Sequence, residues 1–227
     1  LAGNPGLKGM QVRIGTQRDW FAVSGELTLD DGRVMDMARL IELLGEKPSR
    51  FVKIGEDEYL ALSQELRKRL DSIRALQDRG RVHPLAVGLL DEALDGLKVR
   101  TDKAWKERLQ RLSEAQYLVP EIPSTLQAEL REYQVEGFRW LGRLAHWGAG
   151  ACLADDMGLG KTVQTLALLL SRAAEGPALV LAPTSVCSNW IEEAGRFAPT
   201  LIAHLFGGGD RAALLKGLGP FDLVICS

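Results

Sequence analysis

The stretch LADDMGLGKTVQ, from Leu153 to Gln164, decides the fold of the second half of this chain. It places Gly158, Gly160, Lys161 and Thr162 in the order typical of a loop that binds nucleotide phosphates. Glycines let backbone N–H groups close around phosphate oxygens, and the N-terminus of the following helix attracts anions. The lysine adds a mobile positive charge, and the threonine hydroxyl can ligate magnesium. The pattern therefore predicts a phosphate-binding loop.

One position departs from the generic pattern G-x-x-x-x-G-K-[ST], because Asp155 stands where the first glycine is expected. The surroundings nevertheless favour a phosphate loop. The apolar run Gly150–Leu153 predicts a strand just before the loop, and a helical pattern continues after it through Leu170. In the alternative interpretation, Gly-Lys-Thr is only the start of an ordinary helix.

The second half of the chain has a regular alternation of elements. The runs GACLA, PALVLAP, LIAHLF and FDLVICS each predict a strand, and helical stretches separate them. This alternation is typical of a parallel sheet covered by crossover helices, an α/β fold. Ligands of such sheets bind at the carboxyl ends of the strands, which is where the loop lies.

Three segments resemble motifs of one known family. LADDMGLGKTVQ resembles motif I of the Swi/Snf-type ATPases, DNA translocases of helicase superfamily 2, in which an acidic pair before Met-Gly-Leu-Gly-Lys-Thr is usual. LREYQVEGFRWL resembles the family's adenine-reading Q motif, with Glu132 where the family has proline, and LVLAPTSVCSNWIEEAGRFAP resembles motif Ia. The resemblance covers residues 121–227 and implies the N-terminal part of a first RecA-like lobe. More weakly, residues 1–120 resemble an accessory region found before bacterial Swi/Snf-type helicases.

The resemblance implies ATP and Mg²⁺ as cofactors and assigns roles to individual residues. Lys161 and Thr162 would be catalytic, with Thr162 as a magnesium ligand, and Gln134 would hydrogen-bond the adenine edge. The implied nucleotide-binding residues are Gln134, Met157, Gly158, Leu159, Gly160, Lys161, Thr162 and Val163. The implied DNA-binding residues are Pro183, Thr184 and Ser185 along a DNA backbone, with Trp190 nearby.

The same resemblance implies double-stranded DNA and a second RecA-like lobe as partners. The family's next element is a strand ending in Asp-Glu, and its second lobe supplies arginines. Neither occurs in these 227 residues, so we expect the chain to be a piece of a longer protein that binds nucleotide without turning it over. Two alternatives stay open: another P-loop enzyme such as a small-molecule kinase, and a non-catalytic module that senses ATP.

The composition limits the remaining possibilities. A net charge of −2 creates no global positive field for nucleic acid or anionic membranes, so we expect only weak DNA binding by this chain. Three cysteines without paired spacing, no leader-like opening and no long apolar run indicate a cytoplasmic protein without a membrane segment. Six basic residues within Arg67–Arg81 could contact phosphate, but a solvated helix face is the favoured interpretation.

The prolines of YLVPEIPST predict a boundary near residue 120, between an α+β accessory domain (1–120) and the ATPase lobe (121–227). DWFAVSGELTLDDGRV predicts a meander with turns at Ser-Gly and Asp-Asp-Gly, and RFVKIGEDEYLAL a hairpin around Gly55. The helical patterns lie at Met37–Leu44, after the predicted cap Ser63, at Leu85–Leu97 and at Lys103–Leu112. The spacing of Trp140 and Trp147 predicts a buried helical face, and His204 is expected in apolar surroundings.

Overall fold

The structure is a computed structural model that describes residues 6–45 and 49–227. Its contacts divide the chain into two compact units, Leu1–Glu114 and Ala115–Ser227. The division falls in the last turn of a helix, ahead of the proline-containing segment at which the sequence suggested a boundary. The two units are described separately below.

The first unit contains both strands and helices. Its elements in chain order are β1 (Met10–Gln17), β2 (Trp20–Thr28), β3 (Val34–Asp36), α1 (Met37–Leu43), β4 (Phe51–Lys53), β5 (Tyr59–Ala61), α2 (Gln64–Leu76), β6 (Gln77–Asp78), β7 (Arg81–Val82), α3 (Val87–Ala93), β8 (Lys98–Thr101) and most of α4 (Lys103–Tyr117). Within the described residues, β6-β7-β2-β1-β8 form a mixed sheet with β3 paired to β2, and β4 and β5 form the predicted hairpin.

The long strand β2 corrects one prediction. Ser24 and Gly25 were expected in a turn, but β2 runs through both and pairs along its length with β1. A Cβ atom on Gly25 would lie 2.6 Å from the Gln11 carbonyl oxygen and 3.2 Å from atoms of Met10 and Met37. A glycine is therefore required at this position by the close approach of strand β1 and of Met37, and not by a turn of the backbone.

The basic stretch Arg67–Arg81 stabilises the fold of the first unit. Buried Arg67 donates to a carboxylate oxygen of Asp71 and to the carbonyl oxygens of Ser49 and Gly45, at 2.8 to 3.0 Å. Arg74 donates to the Leu44 carbonyl oxygen at 2.8 Å. Because these guanidinium groups bind backbone carbonyls, this stretch is more than the solvated face predicted from its charge.

The second unit contains α5 (Glu132–Trp147), α6 (Lys161–Ser171), β9 (Ala178–Leu181), α7 (Thr184–Phe197), β10 (Ile202–Leu205), α8 (Arg211–Gly217) and β11 (Asp222–Cys226). Its described strands form a parallel sheet in the order β10-β11-β9. Helices connect these parallel strands, and side chains from α6 and α7 pack with the sheet in one apolar cluster. The predicted fold class, a parallel α/β sheet preceded by an α+β region, is confirmed.

Two predictions about GACLA and helix α5 in this unit are wrong. GACLA was expected to form a strand, but residues 149–156 have no regular secondary structure and are largely exposed. A strand needs a neighbour for its N–H and C=O groups, and none of the described strands pairs with this segment. Trp140 was expected on the buried face of α5. It is 40% exposed, since the buried stripe consists of Gln134, Phe138 and Leu141.

None of the helices in residues 6–45 and 49–227 combines the length and the apolar character needed to cross a membrane.

Candidate phosphate-binding site

The loop before α6 has the backbone of a phosphate cradle. Gly158 and Gly160 have φ angles of +86° and +74°, values that side-chain-bearing residues rarely adopt. Gly160 is the N-cap of α6, and no described side chain caps this helix end. The first N–H groups of α6 therefore remain for an anion, and the helix dipole favours negative charge at the same place.

Lys161 begins α6 and lies over the loop that precedes it. Its Nζ donates to the carbonyl oxygen of Asp155 at 2.6 Å and to that of Asp156 at 2.8 Å. Both aspartates are exposed, and the lysine contacts their backbone oxygens rather than their carboxylates. The aspartate at the position of the expected first glycine thus contributes a carbonyl group that holds the ammonium near the helix start.

The remaining predicted nucleotide ligands differ in what they present. The Met157 side chain is 97% exposed and Leu159 is 37% exposed. Thr162 is half-buried in the first turn of α6. Val163 is buried, so it can offer a ligand only its backbone N–H group.

Gln134 connects helix α5 to the loop. Its buried side chain accepts a hydrogen bond from the Arg131 N–H at 3.0 Å and donates to the Leu159 carbonyl oxygen at 3.2 Å. The Tyr133 hydroxyl donates to the same oxygen at 3.3 Å. A Cβ atom on Gly160 would lie 2.4 Å from Gln134 Nε2, so the glycine makes room for the amide. The structure therefore shows this amide bound to the loop.

Sequence reasoning missed Gln164, a second buried glutamine beside the loop. The side chain is fully buried, and its Nε2 donates to the Gly160 carbonyl oxygen at 3.4 Å. The signal was present, because Gln164 is a polar residue within the apolar stripe of α6. The buried members of that stripe are Val163, Leu166, Ala167 and Leu170.

The predicted DNA-binding residues lie at the start of α7, directly after the carboxyl end of β9. Pro183, Thr184 and Ser185 are exposed, which contacts with the backbone of DNA would require. Trp190 is half-buried and packs against the apolar core of the second unit. The tryptophan is thus held by the fold, while the other three side chains are free to meet a ligand.

The described residues contain no group of three or more His, Cys, Asp or Glu side chains arranged to hold a metal ion. Thr162 is the magnesium ligand that the sequence predicts, and its position beside Lys161 fits an ion carried by nucleotide phosphates. The uncapped helix end and the two left-handed glycines likewise fit a nucleotide phosphate group.

His204 and Asp222, which follow the phosphate loop by more than 40 residues in sequence, form a hydrogen-bonded pair. His204 Nε2 lies 2.7 Å from Asp222 Oδ1, and Asp222 Oδ2 accepts from the Gly219 N–H at 2.7 Å. The hydrogen bond to His204, followed by the one from Gly219, lowers the pKa of Asp222. The expectation of apolar surroundings for His204 is therefore wrong, because neighbouring parallel strands bring the carboxylate to it.

A family comparison agrees with the motif order. Residues 133–225 match the model of the SNF2-related domain. This SNF2-related segment includes Gln134, the phosphate loop and the start of α7. Together with the relatives described next, the match supports a Swi/Snf-type ATPase of helicase superfamily 2.

Curated relatives are much longer than this chain. The chain is 31% identical over 210 residues to a probable ATP-dependent DNA helicase, CHR12 of Arabidopsis thaliana, covering 82% of this chain and 19% of that protein. It is 42% identical over 114 residues to the ISWI chromatin-remodeling complex ATPase CHR11 of the same plant, covering 46% of this chain and 11% of that protein. The chain therefore spans about a fifth or less of the length of these relatives.

Among solved structures, the chain is similar to the Sulfolobus solfataricus SWI2/SNF2 ATPase core in complex with dsDNA. The match has 41% sequence identity and a TM-score of 0.43, and covers 48% of this chain and 23% of the other.

Proposed function

We propose that this chain is the ATP-binding part of a DNA-dependent ATPase of the Swi/Snf type. The observation that carries the proposal is the loop–helix geometry at Gly158–Lys161. There, two left-handed glycines precede an uncapped helix N-terminus, and a lysine ammonium is held beside it. These features together offer N–H donors, a dipole and a charge to phosphate oxygens.

In this proposal the backbone from Met157 to Val163 surrounds the phosphates, and Lys161 releases its two loop carbonyls to bind phosphate oxygens. Thr162 ligates Mg²⁺, which when bound neutralises phosphate charge. Gln134 recognises adenine. Its Nε2 lies 3.4 Å from the Tyr133 hydroxyl, and this long contact is the one that an adenine acceptor would replace.

Double-stranded DNA is the proposed partner because the motifs resemble those of DNA translocases, and a relative aligned over 82% of this chain is described as a probable ATP-dependent DNA helicase. Pro183, Thr184 and Ser185 would bind its backbone, with Trp190 positioning their helix. A second RecA-like lobe of the whole protein would complete the ATP site. We also propose that residues 1–120 form an accessory domain and that the protein is cytoplasmic.

We further propose that residues 1–227 alone do not hydrolyse ATP. Several carboxylates that follow the loop are already engaged in the fold. Asp210 caps α8, Asp222 binds His204, and Glu175 pairs with Arg172 at 2.6 Å. These contacts would have to break before any of the three could hold magnesium.

The test of nucleotide binding is thermal unfolding of the chain with and without ADP. At about ten times its dissociation constant, ADP should raise the unfolding free energy by roughly 1.4 kcal/mol. Lys161→Ala should remove most of this shift, whereas Lys216→Ala, which removes an exposed lysine of α8, should leave it unchanged. An equal shift in wild type and Lys161→Ala would refute the site.

A further inference from the structure

Two glutamines face two glycines where helix α5 packs against the loop and α6. Gln134 and Gly137 lie one turn apart on α5, and Gly160 and Gln164 lie one turn apart at the start of α6. A Cβ atom on Gly160 would lie 2.4 Å from Gln134 Nε2, and one on Gly137 would lie 2.0 Å from Gln164 Oε1. Each glutamine amide therefore occupies the space that a glycine leaves on the opposite element.

The amide of Gln164 is buried at an energetic cost. Among the residues that the structure describes, its Oε1 has no hydrogen-bond partner, and the side chain is 0% exposed. A buried unpaired acceptor is uncommon, and an apolar side chain of similar size would avoid the desolvation cost. Among the described residues, the contact of this side chain that an apolar replacement could not make is the hydrogen bond from its Nε2 to the Gly160 carbonyl oxygen.

That carbonyl lies at the centre of the proposed phosphate cradle. The Gly160 oxygen accepts both the backbone N–H of Gln164, at 3.2 Å, and the side-chain Nε2. The neighbouring Leu159 oxygen accepts from Gln134. Two consecutive carbonyls that face the protein orient their peptide units, and the N–H groups of those units point to the opposite side of the loop.

We propose that Gln164 is a positioning residue for the phosphate loop, held in place by the cleft at Gly137. The proposal rests on the function proposed above, and it adds a residue that acts through the backbone of Gly160 without touching the nucleotide. Helix α5 thereby fixes the loop at two points, through Gln134 directly and through the contact of Gly137 with Gln164.

The backbone amide of residue 164 tests the positioning by hydrogen exchange without nucleotide, because it donates to the Gly160 carbonyl oxygen at 3.2 Å and so reports how firmly that carbonyl is held. Gln164→Met keeps the volume and removes the side-chain donor, and Gly137→Ala displaces the side-chain amide without altering Gln164. We expect both variants to lower the protection factor of the residue-164 amide about two- to threefold, the effect of losing a long hydrogen bond at the weak end of the usual range. Gly195→Ala is the matched control, because its new Cβ on α7 would meet no atom within 4 Å.

The same variants should weaken ADP binding about two- to threefold in calorimetry. In a Gln164→Ala background, Gly137→Ala should cause no further weakening, since the amide that it displaces is gone. An unchanged protection factor at residue 164 in Gln164→Met and Gly137→Ala would overturn the proposal, and so would additive effects in the double variant. Failure of the wild-type chain to bind ADP would refute the proposed function, while the exchange comparison would still decide whether Gln164 positions the loop.

Discussion

Lys161 Nζ donates to the carbonyl oxygens of Asp155 and Asp156, so the cation of the phosphate loop is bound by the loop's own backbone. An ammonium group has three donors, and two of them are engaged here by carbonyl oxygens. In the proposed function, nucleotide binding replaces these neutral acceptors with charged phosphate oxygens, which form stronger hydrogen bonds. The two carbonyl contacts thus hold the ammonium group beside the helix N-terminus before a nucleotide binds.

We expect the choice between ATP and GTP to depend on Gln134. We expect the wild-type chain to be stabilised more by ADP than by GDP, and we expect Gln134→Ala to lose that preference. Because Gln134 also binds the Leu159 carbonyl, the variant should unfold at a lower temperature even without nucleotide, by the equivalent of about 1 kcal/mol. Thermal unfolding with each nucleotide measures both effects. Equal stabilisation of wild type by GDP and ADP would exclude adenine recognition by this glutamine.

Turnover is expected to be absent from residues 1–227, even with Mg²⁺ and duplex DNA. Thr162 is then the one protein ligand proposed for the metal, so ADP affinity should depend little on Mg²⁺. Phosphate release should be measured for this chain and for a longer one that includes both proposed lobes. DNA-stimulated phosphate release by the short chain would show that the proposed assignment of catalytic residues is wrong. Absence of phosphate release from the long chain would favour an ATP-sensing module.

Duplex DNA should bind this chain weakly and without sequence preference, because its net charge is −2. Removing the Thr184 and Ser185 hydroxyls together should weaken binding further, whereas Ser171→Ala on α6 should not. Fluorescence anisotropy at several salt concentrations would measure affinity and its salt dependence. Tight binding that persists at high salt contradicts a mode based on phosphate contacts.

Acid should remove the contribution of the His204–Asp222 pair to stability. The hydrogen bond from His204 lowers the pKa of Asp222 in the folded chain. A carboxyl whose pKa falls on folding stabilises the fold above its unfolded pKa of about 3.9, and this contribution disappears as the pH falls through the folded pKa. The stability difference between wild type and Asp222→Asn should therefore shrink below about pH 4. Urea unfolding at several pH values measures this difference in unfolding free energy, and Glu192→Gln on α7 is the control. A difference between wild type and Asp222→Asn that stays constant with pH would argue against a stabilising His204–Asp222 pair.

Gly25, the glycine of strand β2, should tolerate substitution poorly. An alanine there would bring its Cβ to 2.6 Å from a backbone carbonyl oxygen, which cannot rotate away as a side chain can. We expect Gly25→Ala to destabilise the first unit by about 1–3 kcal/mol, the usual cost of overpacking. Gly15→Ala in strand β1 is the control, since nothing lies within 4 Å of its new Cβ. Denaturant unfolding compares the two, and equal midpoints would contradict the close packing.

Local chemistry made much of this fold readable from the sequence. The Ser63 hydroxyl caps α2 by accepting a hydrogen bond from the Leu66 N–H. The three parallel strands form where the sequence has the largely apolar runs PALVLAP, LIAHLF and FDLVICS. The order Gly-Leu-Gly-Lys-Thr similarly predicts a helix start with left-handed glycines, because side-chain-bearing residues resist those backbone angles. Such signals lie within a few residues of the structure that they specify.

Contacts between residues distant in sequence required the tertiary structure. The run GACLA has strand character but finds no neighbouring strand among the described residues, and pairing is a property of two segments. Gly137 and Gln164 are 27 positions apart, and nothing in either local pattern states that one leaves room for the other. His204 meets Asp222 because β10 and β11 are adjacent. The sequence by itself predicted which residues offer groups to a phosphate, because those signals are local; packing of α5 against the loop decided which side chains contact that loop.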